Sequence, residues 1–461
     1  MIYKFKQIKS KIFTKIIGFL IIKEQYTVLI LLIILNIKEK SNGKNRYPFS
    51  SPNNKITVLA LDSDRYRGDL VALSYHPKIR VLFMKQNPPG WLIKPFYSEL
   101  NIGRYINAEK NSIDDINHKK AYDFMYKFLS IFYKYVAVDC VTTINYRYLE
   151  DYNWSKVSDD LGVPFIMLYR ECLLASDIMY DKTLYRTKQY FGKFLGSHII
   201  VHNDICKQML VDSGYVSYKK ISTIGALRMD IFLKLIRDNK NKERRTSKKT
   251  FIFFYFSHDN PLFGREKKSL VDKSEYRTKI WNNRDKFFID LHNAIIELAV
   301  EHPEINFIIK PKKEMIENKS WNFYENIVKG SRANIKNISN YKVDCNLNIS
   351  KNLVDSSSVC AFQSSVMVEA AIANKRVIVP MFYDFSSTPY FNDFFWKDDL
   401  DLFDVATSKS EFKRLFRDVL NNPVVSENIQ RERVIFFDKW FNSTRGDSLD
   451  KYYNKIKSIV Q

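Results

Sequence analysis

The sequence predicts an α/β protein built from two doubly wound parallel-sheet domains, preceded by an apolar helical extension. Three observations predict it. Short β-branched runs alternate with stretches of helical spacing, a hydrophilic break divides them into two series, and the first 54 residues have a composition unlike the rest. At 461 residues the chain is too long for one core and suits two or three domains.

The extension contains "KIFTKIIGFLII" and "YTVLILLIILNI", separated by Lys23, Glu24 and Gln25. Each run is shorter than the roughly 20 residues that span a bilayer. A single tilted helix from 12 to 37 would carry charge near its middle, which is costly there. An interfacial anchor that snorkels its lysines fits better, with extra helices packed on the globular body as the alternative. No small-residue cleavage site follows, so a removable signal peptide is not expected.

The first series opens at "KITVLALDSD" and continues through strand-like runs at 79–84, 138–144, 163–168 and 198–203. Helix-period stretches such as "AYDFMYKFLSIFYKYV" lie between them, which implies parallel βαβ units. The break "RDNKNKERRTSKK" has no apolar periodicity and reads as a linker. Strand-like runs resume at 250–256, 305–310, 358–362 and 376–380. The expected organisation is therefore an extension at 1–54, domains at 55–236 and 250–425 with a linker at 237–249, and C-terminal helices at 426–461 that pack across the domains.

A formal charge of +22 predicts anionic partners: nucleic acid, a phospholipid surface or phosphorylated small molecules. Five cysteines without a CxxC pair indicate a reducing compartment and no disulfide framework. His198 and His202 share a strand face without a third ligand, so they read as core or loop histidines and no metal is expected. The chain lacks GxxxxGK[ST], a GxGxxG after the first strand, GxSxG and HExxH, which removes the usual P-loop, simple dinucleotide, serine-hydrolase and zinc-protease readings.

One stretch stands out: "FQSSVMVEAAIANKRVIVP", 362–380. Following a strand, Gln363, Ser364 and Ser365 fall at a sheet edge and a helix N-terminus, where backbone N–H groups and hydroxyls attract anions. Glu369 lies one turn further on, sharing a face with Ser365, and a carboxylate there can accept both hydroxyls of a ribose. The same residues also suit an ordinary N-cap followed by a first-turn acid.

This segment resembles the nucleotide-binding segment of GT-B-fold glycosyltransferases, in which a polar strand-to-helix turn meets donor phosphates and a helix glutamate meets the ribose. "IIKPKKE" (308–314), "ISTIGALRMDIF" (221–232), "FYFSHDNPLFG" (254–264) and "WFNSTRGDSLDKYY" (440–453) resemble further stretches of bacterial surface-polysaccharide transferases. Together they cover roughly 165–450. The resemblance implies two Rossmann-like domains facing a cleft. It implies a nucleotide-activated sugar as substrate rather than cofactor, held by Lys310, Gln363, Ser364, Ser365 and Glu369, and a polysaccharide or lipid-linked acceptor. Glu171 in "LYRECLL" is the first candidate base, with Asp62, Asp64 and His258 as rivals; Arg228 and Asp230 bind donor or acceptor groups, or close the linker.

Departures narrow this. Position 377 is Val where retaining members place a second glutamate, so inversion is expected. "KPKKE" replaces a histidine common after the proline, and the histidine motifs of hydrolysing UDP-N-acetylglucosamine 2-epimerases are missing. The implied setting is the inner face of a cell membrane, with an anionic membrane surface as partner. Nucleic acid is not expected, since most aromatics fall inside apolar periodic runs. A polyol-phosphate transferase with a CDP-linked donor and a non-catalytic assembly scaffold are the competing readings.

Overall fold

Parallel strands covered by helices on both faces have no solvent side, so they are apolar throughout rather than alternating. The computed structural model, which describes residues 15–42, 44–46, 54–84, 88–240, 249–257, 260–263, 281–316, 320–330 and 337–461, follows that rule. The runs read as strands become β3 (Ile56–Ala60), β4 (Ile79–Met84), β5 (Cys140–Thr143), β6 (Phe165–Leu168) and β7 (His198–Val201) in one sheet. In the other they become β9 (Thr250–Phe254), β10 (Asn306–Lys310), β12 (Ser358–Ala361) and β13 (Arg376–Pro380). Three short strands, β8 (Ile221–Thr223), β11 (Tyr341–Val343) and β14 (Asp404–Ala406), complete the parallel arrangement at the edges.

The expected fold class is the one observed: two parallel-sheet α/β units. The first comprises the residues up to Cys172, Asp181–Ile231 and Trp440–Gln461; the second comprises Leu173–Tyr180 and Phe232–Lys439. With two N-terminal strands, β1 (Ile37–Ser41) and β2 (Lys44–Arg46), the first sheet has the order β2-β1-β4-β3-β5-β6-β7-β8, and the second has β11-β10-β9-β12-β13-β14. The expected linker at 237–249 begins inside a helix, Leu227–Lys240, and 241–248 lie outside the described residues.

The extension is not a segment apart. After two helices, 15–22 and Tyr26–Asn36, β1 (Ile37–Ser41) pairs antiparallel with β4, and β2 (Lys44–Arg46) pairs antiparallel with β1. "IKEKS" carries three charges and no strand pattern; what seats it is Arg80 on β4, only 9% exposed, whose Nε donates to Glu39 at 3.0 Å.

The two C-terminal helices divide between the units. Glu427–Phe441 lies almost wholly in the second, where the buried Arg433 donates to the carbonyls of Leu402 and Lys375. Ser448–Val460 inserts Tyr452 and Ile456 into the first core beside Val58, Leu70 and Ile79. The stretch "IGALRMD" holds that last segment. Ala226 N donates to Phe441 O at 2.8 Å, Tyr452 Oη donates to Gly225 O at 3.0 Å, and Asp230 accepts from Ser443 Oγ at 3.1 Å and Leu449 N at 2.7 Å.

Gly225 has φ of +115°, and a Cβ there would lie 2.2 Å from Asn442 O, a backbone atom that cannot step aside. Gly225→Ala should therefore destabilise the first unit by roughly 3 kcal/mol, read as a lowered Tm or denaturation midpoint. An unchanged midpoint would mean that the C-terminal segment is not held by this contact.

Candidate functional site

In an open parallel sheet, ligands bind outside the carboxyl ends of the strands where the strand order reverses, because successive crossovers leave a crevice there. Each sheet here has one such point. In the first sheet the order runs outward from β3 to β4 on one side and from β5 to β8 on the other, so the reversal lies between β3 and β5. In the second it lies between β9 and β12.

The turn after β12 carries 363–369. Phe362 anchors it from below, its ring 4.6 Å from Phe256 and 5.0 Å from Phe394. Gln363 has φ of +51°, a conformation costly for a side chain other than glycine and found where surrounding contacts impose it. Those contacts are Phe395 N, which donates to Oε1 at 2.8 Å, and Asp393 O, which accepts from Nε2 at 3.1 Å. Gln363 thus ties the 3₁₀ segment Pro389–Asp393 to the turn.

Ser364 Oγ accepts from Val366 N at 3.3 Å, which starts the helix Val366–Ile372, while Ser365 makes no capping bond. Along this helix Val366, Met367, Val368, Ala370 and Ala371 are buried, and the accessible positions Ser365, Glu369, Ile372 and Ala373 fall on one stripe at about 100° per residue. Ser365 and Glu369 are therefore presented together, as their spacing predicts.

Lys310 ends β10, level with Phe254 and, across β9, with Ala361. Two strand spacings put it roughly 10 Å from the turn at the same sheet edge. Its Nζ donates to Pro311 O and Cys345 O, both at 2.9 Å, and burial lowers its pKa despite the nearby Cys345, Asp344 and Glu314. His258 follows β9 but lies outside the described residues.

The first unit gathers charge at its reversal point. Asp62, just past β3, accepts from Asp64 N at 3.1 Å and pairs with Arg65 Nε at 2.8 Å. Arg65 also reaches Glu150 at 2.9 Å and Asp151 at 3.4 Å, with its guanidinium 3.4 Å over the Tyr148 ring. Thr143, at the end of β5, donates to the same Asp151 oxygen. The Arg65 carbonyl accepts from Arg170, whose other nitrogen donates to Glu171 at 2.8 Å. Two of the expected bases, Asp62 and Glu171, thus belong to one network. A cavity lined by Lys40, Ser63, Asp64, Tyr66, Gly68 and Phe83 opens beside it.

The electrostatics separate the two carboxylates. Burial raises the pKa of Asp62 against the pull of Arg65 and the Asp64 N–H. Burial would also raise that of Glu171, but the hydrogen bond and charge of Arg170, with Arg67 and Arg147, hold it below the ordinary carboxylate value. Arg170 stands beside Glu171 in the sequence as its expected ion-pair partner and is found so, whereas the network residues Arg65, Glu150 and Asp151 were not singled out by the sequence. "LED" reads only as a helix start, and its partner lies 85 residues away.

Arg228 belongs to neither cluster. Its backbone N donates to Asp69 at 3.1 Å and its guanidinium sits 5.5 Å from the Phe441 ring, so with Asp230 it stands against the C-terminal segment. His198 and His202 are buried, His198 against Ser222 at 2.9 Å. Among the described residues no group of three His, Cys, Asp or Glu side chains suits a metal.

Neither protein-family models nor curated proteins match the chain. Among solved structures it is similar to UDP-GlcNAc 2-epimerase from Neisseria meningitidis bound to UDP-GlcNAc, at 12% identity over 87% of this chain and 100% of that one, with a TM-score of 0.45. It is also similar to the wall teichoic acid polymerase TagF, at 14% identity over 99% and 98% with a TM-score of 0.47. A third likeness is to a UDP-forming trehalose-phosphate synthase from Burkholderia xenovorans, at 8% over 88% and 100% with a TM-score of 0.45. At these identities and scores the likeness does not extend to function.

Asp151 offers a test of the buried network. Burial, opposed by Arg65, pushes its carboxyl from 3.8 up to about 7. The folded protein therefore keeps a proton that the unfolded chain releases, and this group's contribution to stability is full below about 3.8 and lost as pH rises to about 7. Asp151→Asn should flatten the fall of Tm across that window; an unaltered slope would remove Asp151 as its source.

Proposed function

We propose that the protein is a glycosyltransferase that moves a sugar from a nucleotide-activated donor to a surface-polysaccharide, lipid-linked acceptor at a membrane surface, without metal and with inversion. The observation that carries this reading is the position of the Ser365 and Glu369 stripe: it follows β12, beside the β9/β12 reversal where a parallel sheet receives a ligand.

In the proposed mechanism Glu369 accepts the ribose hydroxyls, and the donor phosphates lie against the Ser364 and Ser365 hydroxyls and Lys310. Those donors offset the charge that grows on the leaving phosphate. The acceptor hydroxyl loses its proton to a carboxylate of the first unit. Glu171, kept ionised by Arg170, is ready to accept one at any ordinary pH, and Asp62, with its raised pKa, is the stronger base.

Donor binding is tested by thermal denaturation with CMP, CDP, UDP, GDP and short oligonucleotides. At about 100 times its dissociation constant, the correct nucleotide should stabilise the protein by roughly 2.7 kcal/mol, and Glu369→Ala should lose that response. Stabilisation by oligonucleotides alone would replace the transferase with a nucleic-acid reading. For the base, Glu171→Gln should lower kcat by roughly 10²-fold or more. Arg170→Gln should move the acidic limb of kcat/KM upward in pH, since it removes the charge that holds Glu171 down. A limb that stays in place assigns the proton to Asp62.

A further inference from the structure

The geometry points to a membrane-docking face: we propose that the outward stripes of the helices 15–22 and Tyr26–Asn36 lie in the headgroup–acyl boundary of a leaflet containing anionic lipid. This rests on the membrane clause of the proposed function and not on its donor chemistry.

Each helix is apolar on two opposite sides. Ile17 and Ile21 of the first are 2% and 4% exposed, and Leu29, Ile30 and Ile33 of the second are 1% exposed, so these residues form the inner face. Tyr26 stacks on Phe124 of the helix Ile113–Tyr135 at 5.7 Å, which seats that face on the first unit. At about 100° per residue, positions 16, 19 and 22 point away from 17 and 21, and 28, 31 and 35 point away from 29, 30 and 33. These outward positions are also apolar: Ile16 (49% exposed), Phe19 (59%), Ile22 (76%), Val28 (42%), Leu31 (56%) and Leu35 (74%).

A helix that faces water from a globular surface places polar residues there, and a concentration of large apolar side chains marks an interaction site. Neither helix can cross a bilayer: no helix among the described residues is long and apolar enough. Charge selects the occupant. Lys15 and Lys23, at the two ends of the first helix, are exposed, and Lys4, Lys6, Lys9 and Lys11 precede them in the sequence. The adjacent Glu24 is paired with Lys127 at 3.3 Å. A second copy would bring the same lysines, on a chain of net charge +22, against one another. An anionic leaflet instead accepts the apolar stripes and neutralises the lysines beside them.

The test is flotation of the full chain with phosphatidylcholine vesicles and with vesicles of phosphatidylcholine and phosphatidylglycerol. The variants are Phe19→Glu with Leu31→Glu, and Lys15→Glu with Lys23→Glu, each checked for Tm, sedimentation and nucleotide response. Binding is expected on the anionic vesicles, weakened by salt. The apolar-stripe variant should bind roughly tenfold or more weakly with an unchanged Tm, because its substitutions point outward. The lysine variant should lose the preference for phosphatidylglycerol. If the stripe variant floats as well as the natural chain, this face is not the docking surface, although membrane association stands. If the natural chain floats with neither vesicle, both fall. If it sediments as a dimer that the stripe variant breaks, a second copy covers the face. The nucleotide response, read on the same samples, reports separately on the donor reading.

Discussion

The reversal of strand order in each parallel sheet is the constraint on which the rest depends. All strands from β3 to β8, and all six of the second sheet, run in parallel, so every connection crosses a face and every strand delivers its successor residues to the same edge. Helices cover the faces, and at the reversal the crossovers leave the edge open to polar groups. The positions of Asp62, Thr143 and the 363–369 turn all follow from that, since each ends or closely follows a strand that borders a reversal.

The two units treat polarity differently at this edge. The first places full charges there, and Arg65 makes their partial burial tolerable by meeting Asp62, Glu150 and Asp151 together. Taking ions out of water is expensive, and a shared guanidinium fork offsets part of it. The second uses hydroxyls, a carboxylate on an accessible stripe and a glutamine whose amide is spent on the backbone of 393 and 395. Beneath it lies an aromatic core, with Phe256, Phe263 and Phe362 in mutual contact, which fixes the turn by shape rather than by charge.

Asp230 has a different task. Its place within "GALRMD" suggests ligand contact, yet it accepts from Ser443 and Leu449 N, and Gly225 leaves room for Asn442 to pass. These residues fasten the chain's end into the first core, where Tyr452 and Ile456 complete the packing around β3 and β4.

Sequence alone determined what depends on neighbours along the chain. Parallel strands were legible because burial on both faces makes runs such as "FIML" (165–168) apolar throughout, and Ser365 with Glu369 was legible because four residues make one helical turn. The apolar character of the extension was equally plain. Tertiary structure decided whatever joins distant segments. "IKEKS" became a strand because Arg80 on β4 held Glu39, and Arg65 found Glu150 and Asp151 only when β3 and β5 lay side by side. It also decided which half of each N-terminal helix met the body and which was left outward, since both halves are apolar and periodicity cannot rank them. Ion pairs and packed faces are chosen by proximity in space, and the strand order that creates this proximity is written in no single stretch of residues.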